Sequence, residues 1–570
     1  FRGRQQDVID RVMAGQNTLA VMPTGAGKSL CYQVPALALP GTCVVVSPLI
    51  ALMHDQLRAA EAVGIRAATL TSVDTNQADT VARFRAGELD LLYVAPERAS
   101  GGGFRDLLER APLALFAIDE AHCVSEWGHD FRPDYRLLRP LLDHFADVPR
   151  LALTATADAH TRADILAQLG IPDDGLILAG FDRPNIRYSM SPRGGTTRQV
   201  AELVAANPGP GIVYVQSRAG TEKMAEALGS TGRAVRAYHA GLDPALRQRN
   251  QAAFVASEDM VMCATIAFGM GIDKPDVRFV AHAGLPKSIE AYYQETGRAG
   301  RDGDPAVAHL FWGADDFAKA RSRLSELAED RQAGERARLA ALAMLVETGE
   351  CRRAILLRHF GEHPPERCGN CDNCLMPPAR TDLTELARKL LSAVYRTGQM
   401  FGVQHLEAVL TGHANDKVTK LGHDQLSVFG IVAGDDVALV KPVARALLLR
   451  DALSTTEHGG LALGPAARPI LKGEAAFEIA VPPRPLRQRR RDGSVANPVG
   501  DPLFDALRTC RRDLAAEAGV PPYVIFHDST LREMATARPA SLGDLARIAG
   551  VGERKREAYG AAFLAVIRQF

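Results

Sequence analysis

Met22-Pro23-Thr24-Gly25-Ala26-Gly27-Lys28-Ser29 decides the reading of this chain. The stretch follows the short apolar run Leu19-Ala20-Val21 and precedes a segment of helical character, so it reads as strand, glycine-rich loop and helix N-terminus. Backbone N–H groups in such a loop cradle phosphates, and the helix dipole favours their negative charge. Thr24, Gly25 and Gly27 would line the loop, Lys28 would reach the β- and γ-phosphates, and the Ser29 hydroxyl would sit on Mg²⁺. The usual pattern opens on Gly where this chain has Met22, and the competing interpretation is a glycine turn between a buried strand and a helix. A second motif separates the two. Leu113-Ala114-Leu115-Phe116-Ala117-Ile118 is an apolar run suited to a central parallel strand buried on both faces, and it ends in Asp119-Glu120-Ala121-His122. Beside a phosphate loop, Asp119 at a strand end can hold Mg²⁺, and Glu120 can orient and polarise the attacking water. Together the motifs point to hydrolysis of a nucleoside triphosphate.

The surrounding chain bounds what that energy can drive. With 570 residues it exceeds a single core, and about three to five domains are expected. Apolar residues at 46% and charged residues at 24% are those of a globular protein. No apolar run approaches a membrane span, and no signal peptide is evident. The chain starts at Phe1 without Met, which is read as a trimmed N-terminus. Basic and acidic residues balance at 67 each, so nucleic-acid binding has to come from local patches. Arg far outnumbers Lys, which suits bidentate phosphate recognition and equally reflects a GC-rich genome.

Of nine cysteines, Cys31, Cys43, Cys123, Cys263 and Cys510 lie among apolar residues and read as buried small hydrophobes. The other four are organised: Cys351, then Cys368-Gly369-Asn370-Cys371-Asp372-Asn373-Cys374. Three cysteines at two-residue gaps plus one upstream can make a closed tetrahedral Zn²⁺ site, with an iron–sulfur cluster as the competitor. Four protein ligands leave no open position, so the metal is read as structural, holding together a segment with little core of its own.

Cys43–Pro48, Leu91–Pro96 and Leu151–Thr154 read as further parallel strands of a first α/β unit. The pattern restarts with strands at 211–215, 260–264 and 279–283 and a helix over 221–228, without a second phosphate loop. Two tandem units make a cleft with nucleotide between them. The second unit supplies Gln294-Glu295-Thr296-Gly297-Arg298-Ala299-Gly300-Arg301-Asp302-Gly303. Arg298 and Arg301, expected at a helix start, could cross the cleft and stabilise γ-phosphate charge; the alternative is a surface helix with Arg on its solvent face. Pro377-Pro378 marks a boundary, and residues 380–478 read as a small helical domain whose Glu457–Leu461 carries a hairpin turn. The proline- and arginine-rich stretch 482–491 reads as a linker that can also touch phosphate. Residues 501–570 read as a last helical domain, where Gly550-Val551-Gly552 is either a phosphate contact or a tight turn.

The string Asp119-Glu120-Ala121-His122-Cys123-Val124-Ser125-Glu126-Trp127-Gly128-His129-Asp130-Phe131-Arg132-Pro133 resembles the bacterial RecQ DNA helicases of superfamily 2. Ser47-Pro48-Leu49, Ala95–Arg98, Thr154-Ala155-Thr156, Phe181–Asn185, Ala267–Asp273 and Gln294–Gly303 match further helicase motifs in order, and the resemblance covers nearly the whole chain. It implies an α/β fold: two tandem RecA-like parallel-sheet domains (1–180 and 181–313), a helical, four-cysteine zinc-binding segment (314–379), a winged helix (380–478), a linker (479–500) and a small all-α HRDC domain (501–570).

The resemblance further implies that Arg2 and Gln5, in Phe1-Arg2-Gly3-Arg4-Gln5, read adenine, and that Asp273 joins the ATP site. The family's adenine-stacking aromatic falls before Phe1, so weaker nucleotide affinity is expected. Trp127 and Phe131 offer flat faces for unpaired bases, with His129 and Arg132 beside them for backbone charge; the alternative for Trp127 is core packing. His122 and its neighbours would couple DNA binding to hydrolysis, and most members carry Gln at the position of Glu126. Tyr523 matches a single-strand-binding position of the HRDC domain, or simply packs. The implied activity is ATP-dependent unwinding of duplex DNA with 3′→5′ polarity in repair, recombination and replication. Single-stranded and forked DNA and a single-strand-binding protein are the implied partners, and a monomer in the cytoplasm is expected. An RNA helicase and an ATP-switched DNA-binding scaffold are the alternatives.

Overall fold

The computed structural model describes residues 1, 3–125, 131–266, 268, 274–324, 326, 329–456, 460–481 and 501–570. Among them, strands β1 (Thr18–Val21), β2 (Thr42–Val46), β3 (Ala67–Leu70), β4 (Leu91–Val94), β5 (Leu113–Ile118), β6 (Arg150–Thr154) and β7 (Leu176–Leu178) form one parallel sheet. Its spatial order is β3-β4-β2-β5-β6-β1-β7. The apolar run of β5 lies between β2 and β6, and Phe116 and Ile118 are wholly buried, as a strand covered on both faces requires. The order places the C-terminal ends of β1, β6 and β5 side by side, which is where open α/β sheets bind ligands.

The chain leaves β7 and enters a second parallel sheet of β8 (Ile186–Pro192), β9 (Gly211–Tyr214), β10 (Val235–Tyr238), β11 (Val261–Ala264), β12 (Phe279–His282) and β13 (Ala306–Trp312), ordered β10-β11-β9-β12-β13-β8. Gly211 opens β9 opposite Phe279 of β12. A Cβ at Gly211 would lie 2.0 Å from the Phe279 ring, which is wholly buried. Gly211→Ala is therefore expected to cost about 1–3 kcal/mol through overpacking, read as a lower denaturant midpoint. An unchanged midpoint would contradict this register.

Helices Ala314–Leu324, Glu329–Glu347 and Arg352–His359 follow. Leu342, Leu345, Ile355 and Phe360 share one apolar cluster with both sheets, so this segment packs into the main core. Next, helices Thr384–Arg396, Val403–Leu410 and Val440–Leu449 bury Leu386, Leu390, Val394, Leu406, Val443 and Leu447 in a core of their own. The i, i+4 spacing of Leu386, Leu390 and Val394 puts one apolar stripe on the first helix. Strands β14 (Ala379–Asp382) and β17 (Glu478–Val481) pair antiparallel and close the two ends of this module. Between them an antiparallel hairpin, β15 (Leu453–Thr455) and β16 (Leu461–Leu463), stands where the sequence places a turn; its tip, 457–459, is outside the described residues. A final bundle, led by helices Pro502–Ala518, Asp528–Ala537 and Glu553–Ile567, packs Leu507, Phe526, Leu531 and Phe563. No described helix is long and apolar enough to cross a membrane.

Candidate active site and metal centre

The phosphate loop hangs between β1 and helix Leu30–Ala38, anchored by Met22 N–H donating to Thr154 O at 2.9 Å. Gly25 and Gly27 have φ of +83° and +74°, a region that a side chain makes costly. Ser29 precedes the helix without using its side chain as a cap. Gln5 is buried, and its amide donates to Ala26 O at 2.8 Å and Gly27 O at 3.0 Å. It therefore grips the phosphate loop, a contact that the adenine-reading expectation did not contain. The Lys28 ammonium lies 3.5 Å from Met22 O.

Asp119 and Glu120 follow β5, two strands from β1 in the sheet with β6 between them. Glu120 N–H donates to Asp119 Oδ1 at 2.9 Å, and Gln56 Nε2 lies 3.3 Å from Oδ2. Burial first, and then the Glu120 charge, hold the Asp119 carboxyl above the usual carboxylate range, with Lys28 working against them. A hard divalent cation on Asp119 and Ser29 relieves that cost, so the donor set fits Mg²⁺. Glu120 adopts φ +48°, a left-handed conformation that costs of order 1 kcal/mol or more outside glycine. Glu120 Oε2 and Thr24 Oγ1 are buried with no hydrogen-bond partner among the described residues, two polar atoms that a bound group could satisfy.

His122 is buried, and burial, then Lys28 and Arg132, push it down to about 3, so its ring is neutral. Nδ1 lies 3.1 Å from Thr154 Oγ1 and 3.4 Å from Glu120 Oε2. Thr154 Oγ1 also lies 3.2 Å from Thr156 O. The network ties Asp119–His122 to Thr154–Thr156. Arg132 donates to Pro48 O at 2.7 Å, and Phe131 lies beneath the Arg136 guanidinium at 5.2 Å. Trp127, His129 and Glu126, together with Arg2 and Asp273, lie outside the described residues.

The second unit faces this loop. Arg298 and Arg301 lie in the turn after the C-terminal end of helix Ile289–Thr296, which corrects the expected helix start. Gly297 is still right-handed at φ −61°, and the turn that follows passes through left-handed Gly300 at φ +56° and carries both arginines at the cleft. Arg298 is only 6% exposed, which excludes the solvent-face alternative. A Cβ on Gly25 would meet Arg301 Cγ at 3.1 Å, and one on Gly297 would meet Thr24 Cβ at 3.5 Å. Arg301 thus lies across the cleft, directly on the phosphate loop.

The Sγ atoms of Cys351, Cys368, Cys371 and Cys374 lie within 4.8 Å of one another. Cys351–Cys371 is 3.8 Å and Cys368–Cys374 is 3.9 Å, against the roughly 3.8 Å edge of a tetrahedron with Zn–S bonds of about 2.3 Å. Backbone N–H groups of Ala354 and Asn370 approach Cys351 and Cys368 Sγ at 3.4 Å, as suits thiolates. The four cysteines fit zinc.

Family models match consecutive stretches of the chain: DEAD/DEAH box helicase (2–165), helicase conserved C-terminal domain (196–303), RecQ zinc-binding (314–375), RQC (377–488) and HRDC (501–567). An ATP-dependent DNA helicase RecQ from Haemophilus influenzae is 43% identical, covering 100% of this chain and 94% of the relative. One from Bacillus subtilis is 38% identical, covering 100% and 96%. The chain belongs to the RecQ family of ATP-dependent DNA helicases. The RecQ zinc-binding match decides between zinc and an iron–sulfur cluster, and the RQC match identifies the hairpin-bearing module as the winged helix.

Two features of this RecQ family member are not legible in its sequence. Arg183, which enters there only as part of a motif, places its guanidinium between the phosphate loop and the arginine turn. The HRDC bundle also lies against the second α/β unit. Arg511, 3% exposed, pairs with Glu258 and with Asp528 at 2.7 Å; Arg532 pairs with Asp304 at 2.9 Å. Tyr523, expected at a DNA surface, lies with its ring 5.5 Å from the Lys274 ammonium.

Proposed function

We propose that the cleft turns ATP hydrolysis into 3′→5′ stepping along single-stranded DNA that unwinds the duplex ahead. The observation that carries the reading is Arg301 lying over Gly25, because it joins the hydrolytic groups of the two units in one site. Lys28 and the loop N–H groups would hold the β- and γ-phosphates, Ser29 and Asp119 the Mg²⁺, and Glu120 the attacking water, while Arg298 and Arg301 take up charge developing on the γ-phosphate. A site split between two units hydrolyses only when they are closed, so each turnover closes and reopens them. Arg132, bonded to Pro48, and its neighbour Phe131 link that movement to DNA through the network of His122 and Thr154.

The intact hydrolytic set argues against a scaffold that uses ATP only as a switch, and relatives named as DNA helicases argue against an RNA substrate. Polarity rests on the family alone, as do a monomeric state, a cytoplasmic location, a role in repair, recombination and replication, and a single-strand-binding partner. Tyr523 can engage DNA once the bundle leaves Lys274, so deleting residues 501–570 should change DNA affinity. Strand displacement on forks with either a 3′ or a 5′ tail, in DNA and matched RNA, tests the proposal. Unwinding confined to the 3′-tailed DNA supports it; unwinding from the 5′ tail, or of the RNA fork alone, contradicts it.

A further inference from the structure

The crossing from β7 to β8 carries Phe181-Asp182-Arg183-Pro184-Asn185. The Arg183 guanidinium ends among four backbone carbonyls. Nη1 donates to Thr24 O at 3.3 Å and Gly297 O at 3.0 Å; Nη2 donates to Ala299 O at 2.8 Å and Gly300 O at 2.9 Å. The first acceptor belongs to the phosphate loop, the other three to the turn that carries Arg298 and Arg301. Asn185 Nδ2 adds bonds to Gly300 O and Asp304 O, both at 2.8 Å. Gly300 has φ +56°, and a Cβ there would lie 2.4 Å from that amide. Two side chains of the linker therefore shape the arginine turn.

The linker is itself held from the other side. Arg353 Nη2 donates to Pro184 O at 3.0 Å and Ile186 O at 2.7 Å, and Asn370 Nδ2, between two zinc cysteines, donates to Pro184 O at 3.2 Å. Tyr293 OH donates to Phe181 O at 2.6 Å, and the Phe181 ring stacks on Phe360 with centroids 4.7 Å apart. Arg183 thus projects from a fixed frame, while its acceptors lie on both walls of the cleft.

We propose that Arg183 is a positioning residue for ATP hydrolysis: it staples the arginine turn to the phosphate loop and sets the approach of Arg298 and Arg301 to the γ-phosphate. The proposal rests on the reading of those two arginines as the groups that take up transition-state charge. A planar guanidinium can donate to both walls at once, whereas a lysine ammonium on the same stem is a point charge without that fork. Misplacement of reacting groups by about 1 Å costs on the order of 100-fold in rate. Because Arg183 bonds to carbonyls and works through the turn, its loss should appear in kcat and leave KM for ATP nearly unchanged.

The test is steady-state ATP turnover at saturating single-stranded DNA for the full chain and for Arg183→Gln, Arg183→Lys, Arg301→Ala and the Arg183→Gln/Arg301→Ala double variant. Arg183→Gln and Arg183→Lys should each lower kcat about 10- to 100-fold with KM within about threefold, and Arg301→Ala about 1,000-fold. The double variant should be slower than Arg301→Ala by less than the Arg183→Gln effect measured alone, since part of what Arg183 positions is already gone while Arg298 remains. Wild-type kcat in Arg183→Lys, or a double variant that loses the product of the two single effects, overturns the proposal. Full turnover in Arg301→Ala would instead sink the arginine reading beneath it. Should Arg183→Gln fail to fold, Arg183→Lys, which keeps charge and length, decides alone.

Discussion

Glu120→Gln should lower ATP turnover by about 10²–10⁴-fold while ATP and DNA binding stay within about threefold of wild type. The change is nearly isosteric, so the turn after β5 and its φ of +48° can persist. What disappears is the carboxylate whose Oε2 is buried without a hydrogen-bond partner among the described residues and lies 3.4 Å from neutral His122. An amide cannot accept the proton of an attacking water. Asp119, held above the usual carboxylate range chiefly by burial, keeps its place as the cation's ligand. Lys28→Ala should also abolish turnover, by removing charge from the phosphate loop, with DNA binding largely intact. The two variants separate binding from chemistry: Glu120→Gln should still retain labelled ATP, and Lys28→Ala should retain it poorly. Normal turnover in Lys28→Ala would remove the nucleotide assignment altogether.

Replacing Cys371 with Ser, or stripping zinc with a chelator, should destabilise the chain well beyond the zinc segment. Structural zinc contributes an apparent ~10–16 kcal/mol in small domains that are unfolded without it, an upper bound here because Leu345, Ile355 and Phe360 also pack into the shared core. Cys371 is 1% exposed, and burial pushes its thiol up, a cost that binding as thiolate to a cation offsets. The cysteines flank groups that reach elsewhere: Arg352 Nε and Met190 N–H both donate to Asp372, at 3.1 Å and 2.9 Å, and Arg353 holds Pro184 and Ile186. Metal loss should therefore lower the unfolding midpoint and ATP turnover together. Thermal unfolding with and without chelator, alongside stoichiometric zinc release by a thiol reagent, checks this. A metal-free chain with unchanged midpoint and turnover would contradict the structural role of the site.

The parts of the fold legible in the sequence are those under two-sided burial. β1, β2, β4, β5 and β6 read as apolar runs because each has neighbours on both sides and helices above and below. The strands that escape the pattern include β3, β7, β8 and β10, which stand at the four sheet edges. There one side is open, and a sequence such as Val235-Arg236-Ala237-Tyr238 of β10 can carry exposed Arg236. Central β13 escapes it as well: Ala306-Val307-Ala308-His309-Leu310-Phe311-Trp312 includes His309, whose Nε2 finds Ser191 Oγ at 2.8 Å in the neighbouring strand, a partner visible only after pairing.

The site divides in the same way. Lys28, Ser29, Asp119 and Glu120 are legible because phosphate and cation chemistry demands those side chains beside those strands. The zinc cysteines are legible by their spacing. Arg298 and Arg301 are legible as residues, but their place after the helix depends on the turn through Gly300, which is visible only in the backbone. Arg183 carries no readable chemistry because its acceptors are the backbone carbonyls of residues 24, 297, 299 and 300, which leave no mark in side-chain identity. Tyr523 is assigned from a family surface, whereas its contact with Lys274 arises from how the bundle sits on the second unit.

The most direct test of the account is ATP hydrolysis with Mg²⁺, with and without single-stranded DNA, over a salt series. Strong stimulation by DNA that fades as salt rises is the expected result, since a motor gripping phosphates releases counterions on binding. Hydrolysis indifferent to DNA at every salt concentration would contradict the coupling of the cleft to a DNA track.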